Sequence, residues 1–469
     1  MNEYSTRRAM FSGKNRCPPR AYPGLSIENF NEMIIIPGMV HERPQLVIAD
    51  QNGEISSVPF LEGCGMKAGE FFRLSSRHLK KLPPCSQLMM LPGRVPVAFD
   101  PNERAMVSLD EHPLSPGSVC YPVAAFLTPG YTGTFSSAFL DQPRQDPLPL
   151  FAYTAVVFYH GEFYSASVQV DREQRQDPRL MDLERMQDQI VRIKKMFPEN
   201  RLIRHLEDCA CINGCPAAKN FFLERYETPL PTSPTCNCRC RGCISYQPEG
   251  KIPVTQPRIR FVPSPEEIAE VALYHMDHVR DPVVSFGQGC EGEPLMAAPV
   301  IEQAVRLIRA RTAKGIINLN SNASRPEAVA RLFDAGLDSL RVSLNSVRDS
   351  LYRAYYRPRD YTFADVCSSV KQAGLRRGFV SLNYLVMPGV TDSLEEYTAL
   401  RSFLGTYPVN MIQWRNLNFD PRAYVRMISF GESQETVGID RMICLIHREF
   451  PHVIKGYFNP SRLRMRRHK

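Results

Sequence analysis

From Pro265 onward, short apolar runs alternate with helical segments, and this alternation limits the possible fold more than any other feature of the chain. The runs are Pro282–Phe286, Gly315–Leu319, Ser339–Leu344, Val380–Met387 and Met411–Trp414. The helical segments between and around them span about Pro265–His275, Pro294–Ala310, Arg325–Ala335, Phe363–Ala373 and Leu394–Leu404. Ser264 is placed to cap the first helix, with Pro265 at its first position, where a missing N–H costs nothing. With one more strand near residue 230, the pattern predicts six β-α units and a parallel sheet curled into all or part of a barrel. In such sheets the working loops follow the carboxyl ends of the strands.

The chain ahead of this region reads differently. Residues 1–175 are β-rich and punctuated by proline and glycine, with apolar or alternating runs at Met33–Ile36, Gln45–Ala49, Gln87–Leu91, Val95–Phe99 and Val119–Leu127. Phe151–Tyr159 and Glu162–Val170 flank His160-Gly161, which predicts a hairpin. A small barrel or sandwich fits this spacing. No catalytic constellation stands out there, so a scaffold and a substrate-recognition module are equally open. Residues 176–229 form a helical, cysteine-containing connector, in which Leu180, Leu183, Met186, Ile190, Ile193 and Phe197 make one apolar stripe. Asp177 and Asp182 sit near its start and Lys194-Lys195 near its end, as the helix dipole favours. Residues 230–420 hold the barrel, and 421–469 form a C-terminal extension with a basic tail from Arg462 to Lys469. The expected fold class is therefore α/β, a partial (β/α)6 TIM-like barrel preceded by a β-rich N-terminal domain.

A chain of 469 residues exceeds one ordinary core, and 43% hydrophobic with 23% charged residues describes neither a disordered nor a membranous protein. The formal charge of +8 is moderate. The basic tail is either a solvated terminus or a phosphate or RNA contact, and it lacks the interleaved aromatics of an RNA site. No uncharged apolar run approaches membrane-spanning length, and no apolar segment follows the N-terminal arginines, so a cytoplasmic protein is expected. There thiols stay reduced, and clustered cysteines point to metal or catalysis before disulfides. Half of the 14 cysteines lie between Cys209 and Cys243.

Four of them crowd into Cys236-Asn237-Cys238-Arg239-Cys240-Arg241-Gly242-Cys243. A loop with thiolates at C-x3-C-x2-C spacing can hold three irons of a 4Fe–4S cube and leave the fourth open for a ligand. Zinc is the alternative: Cys240 and Cys243 would form one pair, with Cys209, Cys211 or Cys215 contributing to another. Cys236, Cys240 and Cys243 resemble the loop of the radical S-adenosylmethionine superfamily, and the β-α run behind them resembles its partial barrel, over roughly residues 230 to 420. Gly242 departs from that pattern, since an aromatic residue commonly precedes the last cysteine. Cys238 is extra, with no ligand role in the family.

The resemblance extends to the strand ends. Gly287-Gln288-Gly289-Cys290-Glu291-Gly292-Glu293-Pro294 is similar to the family's Gly-Gly-Glu-Pro segment, with Glu291 in place of the first glycine. It implies that Glu293 pairs with the methionyl ammonium of S-adenosylmethionine, with Gly292 beside it. Asn318-Leu319-Asn320-Ser321-Asn322 resembles the family's Thr-Asn-Gly element, which turn-forming Asn and Ser explain almost as well. Ser343 is implied as a ribose contact, Asn345 stands where aspartate is frequent, and Arg357 is implied as a carboxylate partner. Val386-Met387-Pro388-Gly389-Val390 is similar to the segment that passes along the adenine.

What the resemblance implies is an enzyme whose 4Fe–4S cluster, reduced by a flavodoxin or ferredoxin, cleaves S-adenosylmethionine to a 5′-deoxyadenosyl radical that abstracts hydrogen from a substrate. No protein acid or base is required for that cleavage, so no catalytic residue is assigned. The other hypotheses are a non-catalytic zinc- or cluster-binding module that recruits a partner or RNA, and a simple iron–sulfur electron carrier. Cys209, Cys211 and Cys215 either help hold a second iron–sulfur cluster, completed by Cys238, Cys290 or Cys64, or are small buried residues.

Overall fold

The computed structural model describes residues 7–8, 34–35, 43–431 and 434–466. The N-terminal segment, much of the Met33–Ile36 run and the last three residues of the basic tail lie outside the described residues.

Seven parallel strands form one sheet in chain order: β1 (Glu227–Pro229), β2 (Val283–Phe286), β3 (Ile316–Ser321), β4 (Ser339–Leu344), β5 (Phe379–Val386), β6 (Met411–Asn416) and β7 (Ile454–Gly456). β1 pairs with β2 and β7 with β6, so the sheet is an open half-barrel. Its central strands are covered on both faces, which is why they read as near-continuous apolar runs. All five expected runs became strands. The sheet also recruits Ile454–Gly456, inside the segment set apart as an extension. This edge strand is three residues long, one of them exposed, and too short to show a period in the sequence.

The helices of this region are α4 (Pro265–His278), α5 (Ala298–Arg311), α6 (Pro326–Ala335), α7 (Asp349–Tyr356), α8 (Phe363–Leu375) and α9 (Leu394–Thr406). Ser264 does cap α4, accepting from the Glu267 N–H at 3.2 Å while the Glu267 carboxylate accepts from the Ser264 N–H at 2.8 Å. The segment expected as one helix from Pro294 divides into a 3-10 turn, Pro294–Ala297, and α5. Pro299 has no N–H to continue the preceding turn, so the helix restarts there.

The connector carries α1 (Leu183–Met196), α2 (Arg201–Cys211) and α3 (Pro216–Phe222). Met186, Ile190 and Ile193 of the expected stripe are buried, whereas Leu180 falls in a preceding 3-10 turn and is 63% exposed. Asp182, two residues past that turn, caps α1, accepting from the Arg185 N–H at 3.0 Å.

The N-terminal region is a set of largely antiparallel strands. Thr154–Tyr159 pairs with Glu162–Ser165 through the expected turn, with His160 and Gly161 both at positive φ, 48° and 78°. The region docks on the carboxyl end of the half-barrel, the end that carries the working loops. The Gly133 N–H donates to Asn416 Oδ1 at 2.8 Å, and the Ala68 N–H donates to the Pro388 carbonyl at 3.0 Å. Arg94 and Asp420, both almost wholly buried, form an ion pair at 3.1 Å across the same junction. Among the described residues, no helix is long and apolar enough to cross a membrane.

Candidate active site

The site is built where the chain leaves β1 and passes beside the loop after β2. Glu291, buried there, accepts four backbone hydrogen bonds: Thr232 at 2.8 Å and Ser233 at 3.0 Å on one oxygen, Gly287 at 2.6 Å and Gln288 at 3.0 Å on the other. Burial pushes its carboxyl up to about 7, and the four N–H groups pull against that rise. Glu291 thus clamps the two loops together, a role that its place as a substituted glycine did not suggest. The next two residues continue the pairing, Gly292 N–H to Ser233 O at 2.6 Å and Glu293 N–H to Thr235 O at 2.8 Å. A Cβ on Gly292 would stand 2.0 Å from the Thr235 carbonyl oxygen, so only glycine fits.

From Cys236 the chain runs extended beside the end of α7. Arg239 and Arg241 donate to the Tyr356 and Tyr355 carbonyls at 3.1 and 3.0 Å, and Arg359 donates back to Asn237 at 3.1 Å. In an extended segment alternate residues share a face. Cys238 Sγ accordingly lies 3.4 Å from Cys236 Sγ and 3.3 Å from Cys240 Sγ. Cys238, set aside from the sequence as extra, therefore packs its sulfur against those of two of the three candidate ligands. Cys243 follows a tight turn closed by its N–H on Cys240 O at 3.2 Å, and its sulfur lies 3.5 Å from Arg258 Nη2. Contact with Cys238, reinforced by burial, holds the Cys236 thiol well above its usual range.

The space beside Gly242 is filled by Tyr355. A Cβ at Gly242 would meet the Tyr355 hydroxyl at 2.4 Å. Tyr352 stacks on Tyr356 at 4.7 Å between ring centroids, and its hydroxyl meets that of Tyr361 at 3.0 Å. α7 was not foreseen, although Leu351, Tyr352, Tyr355 and Tyr356 carry the helical spacing that would have found it.

Glu293 is buried with its carboxylate turned to β3. Oε1 accepts from Ser321 Oγ at 2.5 Å and the Leu295 N–H at 3.1 Å, and Oε2 accepts from the Asn322 N–H at 2.8 Å. Burial raises its carboxyl to about 7, and its charge in turn raises the Cys236 and Cys238 thiols, so it faces the sulfur cluster. Asn322 Nδ2 donates to Asn237 Oδ1 at 2.8 Å, tying the end of β3 directly to the cysteine loop.

The remaining sequence candidates are dispersed. Ser343 is half-buried on β4, in register with Asn383 of β5. Asn345 is buried, and its amide donates to the Leu351 carbonyl at 3.0 Å and the Tyr424 hydroxyl at 2.9 Å, leaving Oδ1 without a protein partner. Arg357 is exposed at the left-handed end of α7, next to Pro358, which bridges to Cys238. Cys211 is exposed and away from Cys209 and Cys215, so those three do not form one donor set. Instead, Cys209 meets Cys290 and His205.

A cavity of about 260 Å3 lies between the half-barrel and the N-terminal region, bordered by Ile244, Gln288, Arg341, Arg415, Asn418 and Phe151. Burial, with the charge of Arg415, lowers Arg341 to about 9. Of the residues bordering this cavity, Arg341 and Asn220 each bury a polar atom with no partner among the described residues. The convergent thiols of the cysteine loop, with the buried Glu293 carboxylate facing them, are a donor set that fits an iron–sulfur cluster.

Comparison with known proteins agrees. Residues 230–400 match the radical SAM superfamily. GTP 3′,8-cyclase of Thermodesulfovibrio yellowstonii is 29% identical over 204 residues, covering 43% of this chain and 60% of the relative. Molybdenum cofactor biosynthesis protein 1 of Mus musculus is 25% identical over 205 residues, 43% of this chain and 30% of the relative. The chain thus spans less than two thirds of either relative. The crystal structure of methylornithine synthase aligns over 53% of this chain and 70% of its own, at 15% identity and a TM-score of 0.36. Residues 230–400 thus carry a radical SAM domain of unassigned subgroup.

Proposed function

We propose that Cys236, Cys240 and Cys243 hold a 4Fe–4S cluster, and that the chain cleaves S-adenosylmethionine reductively to act on an anionic substrate. The observation that carries this reading is the convergence of the cysteine loop, Glu293 and the end of β3 at one point on the carboxyl edge of a parallel half-barrel. The cluster, when bound, supplies the electron that releases a 5′-deoxyadenosyl radical, and a flavodoxin or ferredoxin would supply it in turn.

The protein's share is binding and exclusion. Glu293, with Oε2 accepting only one hydrogen bond, retains acceptor capacity for the methionyl ammonium, and Gly292 lets that group approach the cysteine loop. Ser343 and the free Oδ1 of Asn345 remain candidates for the ribose, and Arg357 for the carboxylate. Arg341 and Arg415 border the cavity together, a pairing that favours an anionic group on the substrate. The N-terminal region, which supplies Phe126 and Phe151 to the same cavity, would close it from water.

Anaerobic purification followed by addition of dithionite and S-adenosylmethionine tests the reading. A brown protein forming 5′-deoxyadenosine is expected, with the product abolished by Cys240→Ala and retained by Cys238→Ala. Colourless protein with zinc in this loop would favour a non-catalytic binding module. A brown protein that leaves S-adenosylmethionine intact would favour an electron carrier. Loss of activity in Cys238→Ala with an intact fold would move the fourth ligand onto the protein and close the open iron.

A further inference from the structure

We propose that His205, Cys209, Cys215 and Cys290 form a tetrahedral zinc site, separate from the cysteine loop, that staples the helical connector to the loop bearing Glu291 and Glu293. His205 and Cys209 lie four residues apart on α2 and so share one face of the helix. His205 Nε2 is 3.5 Å from Cys209 Sγ, and both atoms lie within 4.8 Å of Cys290 Sγ. After α2 the chain turns back through Gly214, and the Cys215 N–H donates to the Cys209 carbonyl at 2.8 Å, which keeps Cys215 beside this group with its sulfur outside the 4.8 Å within which the other three atoms meet. Cys215 is near enough to Cys290 for its charge to act on that sulfur. Cys209 and Cys290 are each 1% exposed and Cys215 is 6% exposed.

The metal follows from the distances. Around a tetrahedral zinc with Zn–S of ~2.3 Å and Zn–N of ~2.0–2.1 Å, adjacent sulfur and nitrogen ligands stand ~3.5 Å apart. The observed separation of His205 and Cys209 equals that edge. Ligands of an iron–sulfur cube grip different irons and stand farther apart. Three thiols and one imidazole are also a common structural zinc set. Binding would release the three thiol protons to solvent and leave the imidazole neutral. Cys290 immediately precedes Glu291, so the metal would fix the clamp that holds the cysteine loop.

Metal analysis of the full chain tests this independently of the cluster. Wild type purified anaerobically is expected to carry about one zinc per chain beside its iron. The triple variant Cys236→Ala/Cys240→Ala/Cys243→Ala should keep that zinc while losing iron, and its cobalt-substituted form should show tetrahedral ligand-field and thiolate charge-transfer bands. Adding Cys290→Ser to it should lower zinc at least tenfold. Should that fourth change prevent folding, the cobalt spectrum of the triple variant still reports the ligand set. A triple variant without zinc, one that is brown with iron and sulfide, or a Cys209–Cys290 disulfide in fresh protein would overturn the proposal.

Discussion

Glu293, on the loop after β2, accepts a 2.8 Å hydrogen bond from the backbone N–H of Asn322 at the end of β3. The same asparagine reaches Asn237 in the cysteine loop, so one carboxylate registers two strand ends against the four thiols. Glu293→Gln keeps the size and most of the hydrogen bonding but removes the charge. A charge-assisted hydrogen bond contributes about 1.5–3 kcal/mol, so S-adenosylmethionine should bind roughly 10- to 100-fold more weakly. Iron content should stay unchanged, as equilibrium dialysis and metal analysis would show.

Arg341 and Arg415 share a cavity, and the charge of Arg415, added to burial, raises the cost of charging Arg341. An anion bound between them relieves that repulsion. Pyrophosphate is expected to raise the melting temperature of the wild-type protein, and Arg341→Gln/Arg415→Gln should remove the response. Substrate-free 5′-deoxyadenosine formation should persist in the variant. A wild-type melt indifferent to pyrophosphate would count against an anionic substrate.

The Arg94–Asp420 pair ties the N-terminal region to the half-barrel. Asp420 also accepts from the Leu148, Arg422 and Ala423 N–H groups at 3.1, 3.0 and 3.0 Å. Asp420→Ala would strand three N–H donors and leave Asp141, at 2.9 Å, as the remaining carboxylate partner of the buried Arg94 guanidinium. Breaking such a pair costs about 3–5 kcal/mol, which a urea titration should register as a lower midpoint.

His275 of α4 is buried, donates through Nε2 to the Tyr226 carbonyl at 3.3 Å, and is held at about 4 by burial, below its ordinary 6.5. The unfolded chain takes up this proton below pH 6.5 while the folded chain refuses it. The stability contribution is therefore complete above 6.5 and shrinks as pH falls towards 4. At about 1.4 kcal/mol per pH unit, the advantage of wild type over His275→Gln should narrow by roughly 2 kcal/mol from pH 7 to pH 5. Parallel urea titrations at the two pH values would measure it.

The strands and helices of the half-barrel were legible because burial on both faces of β2 to β6 imposes apolar runs, and capping chemistry marks α4. The three-residue β1 and β7 were poorly legible, since a short edge strand is held by backbone pairing that leaves no side-chain period. The cysteine loop and Glu293 were legible as motifs, and Glu291 was visible only as a departure from one.

What the sequence alone determined was the β-α alternation and the grouping of donor residues, because local spacing dictates which side chains share a strand end or a loop. Tertiary structure alone decided that Cys238 faces its neighbours, that Tyr355 fills the place beside Gly242, and that His205, Cys209 and Cys290 meet. Each of those contacts joins segments, or fixes a backbone extension, through packing that acts across tens of residues, and periodicity along the chain carries no record of it.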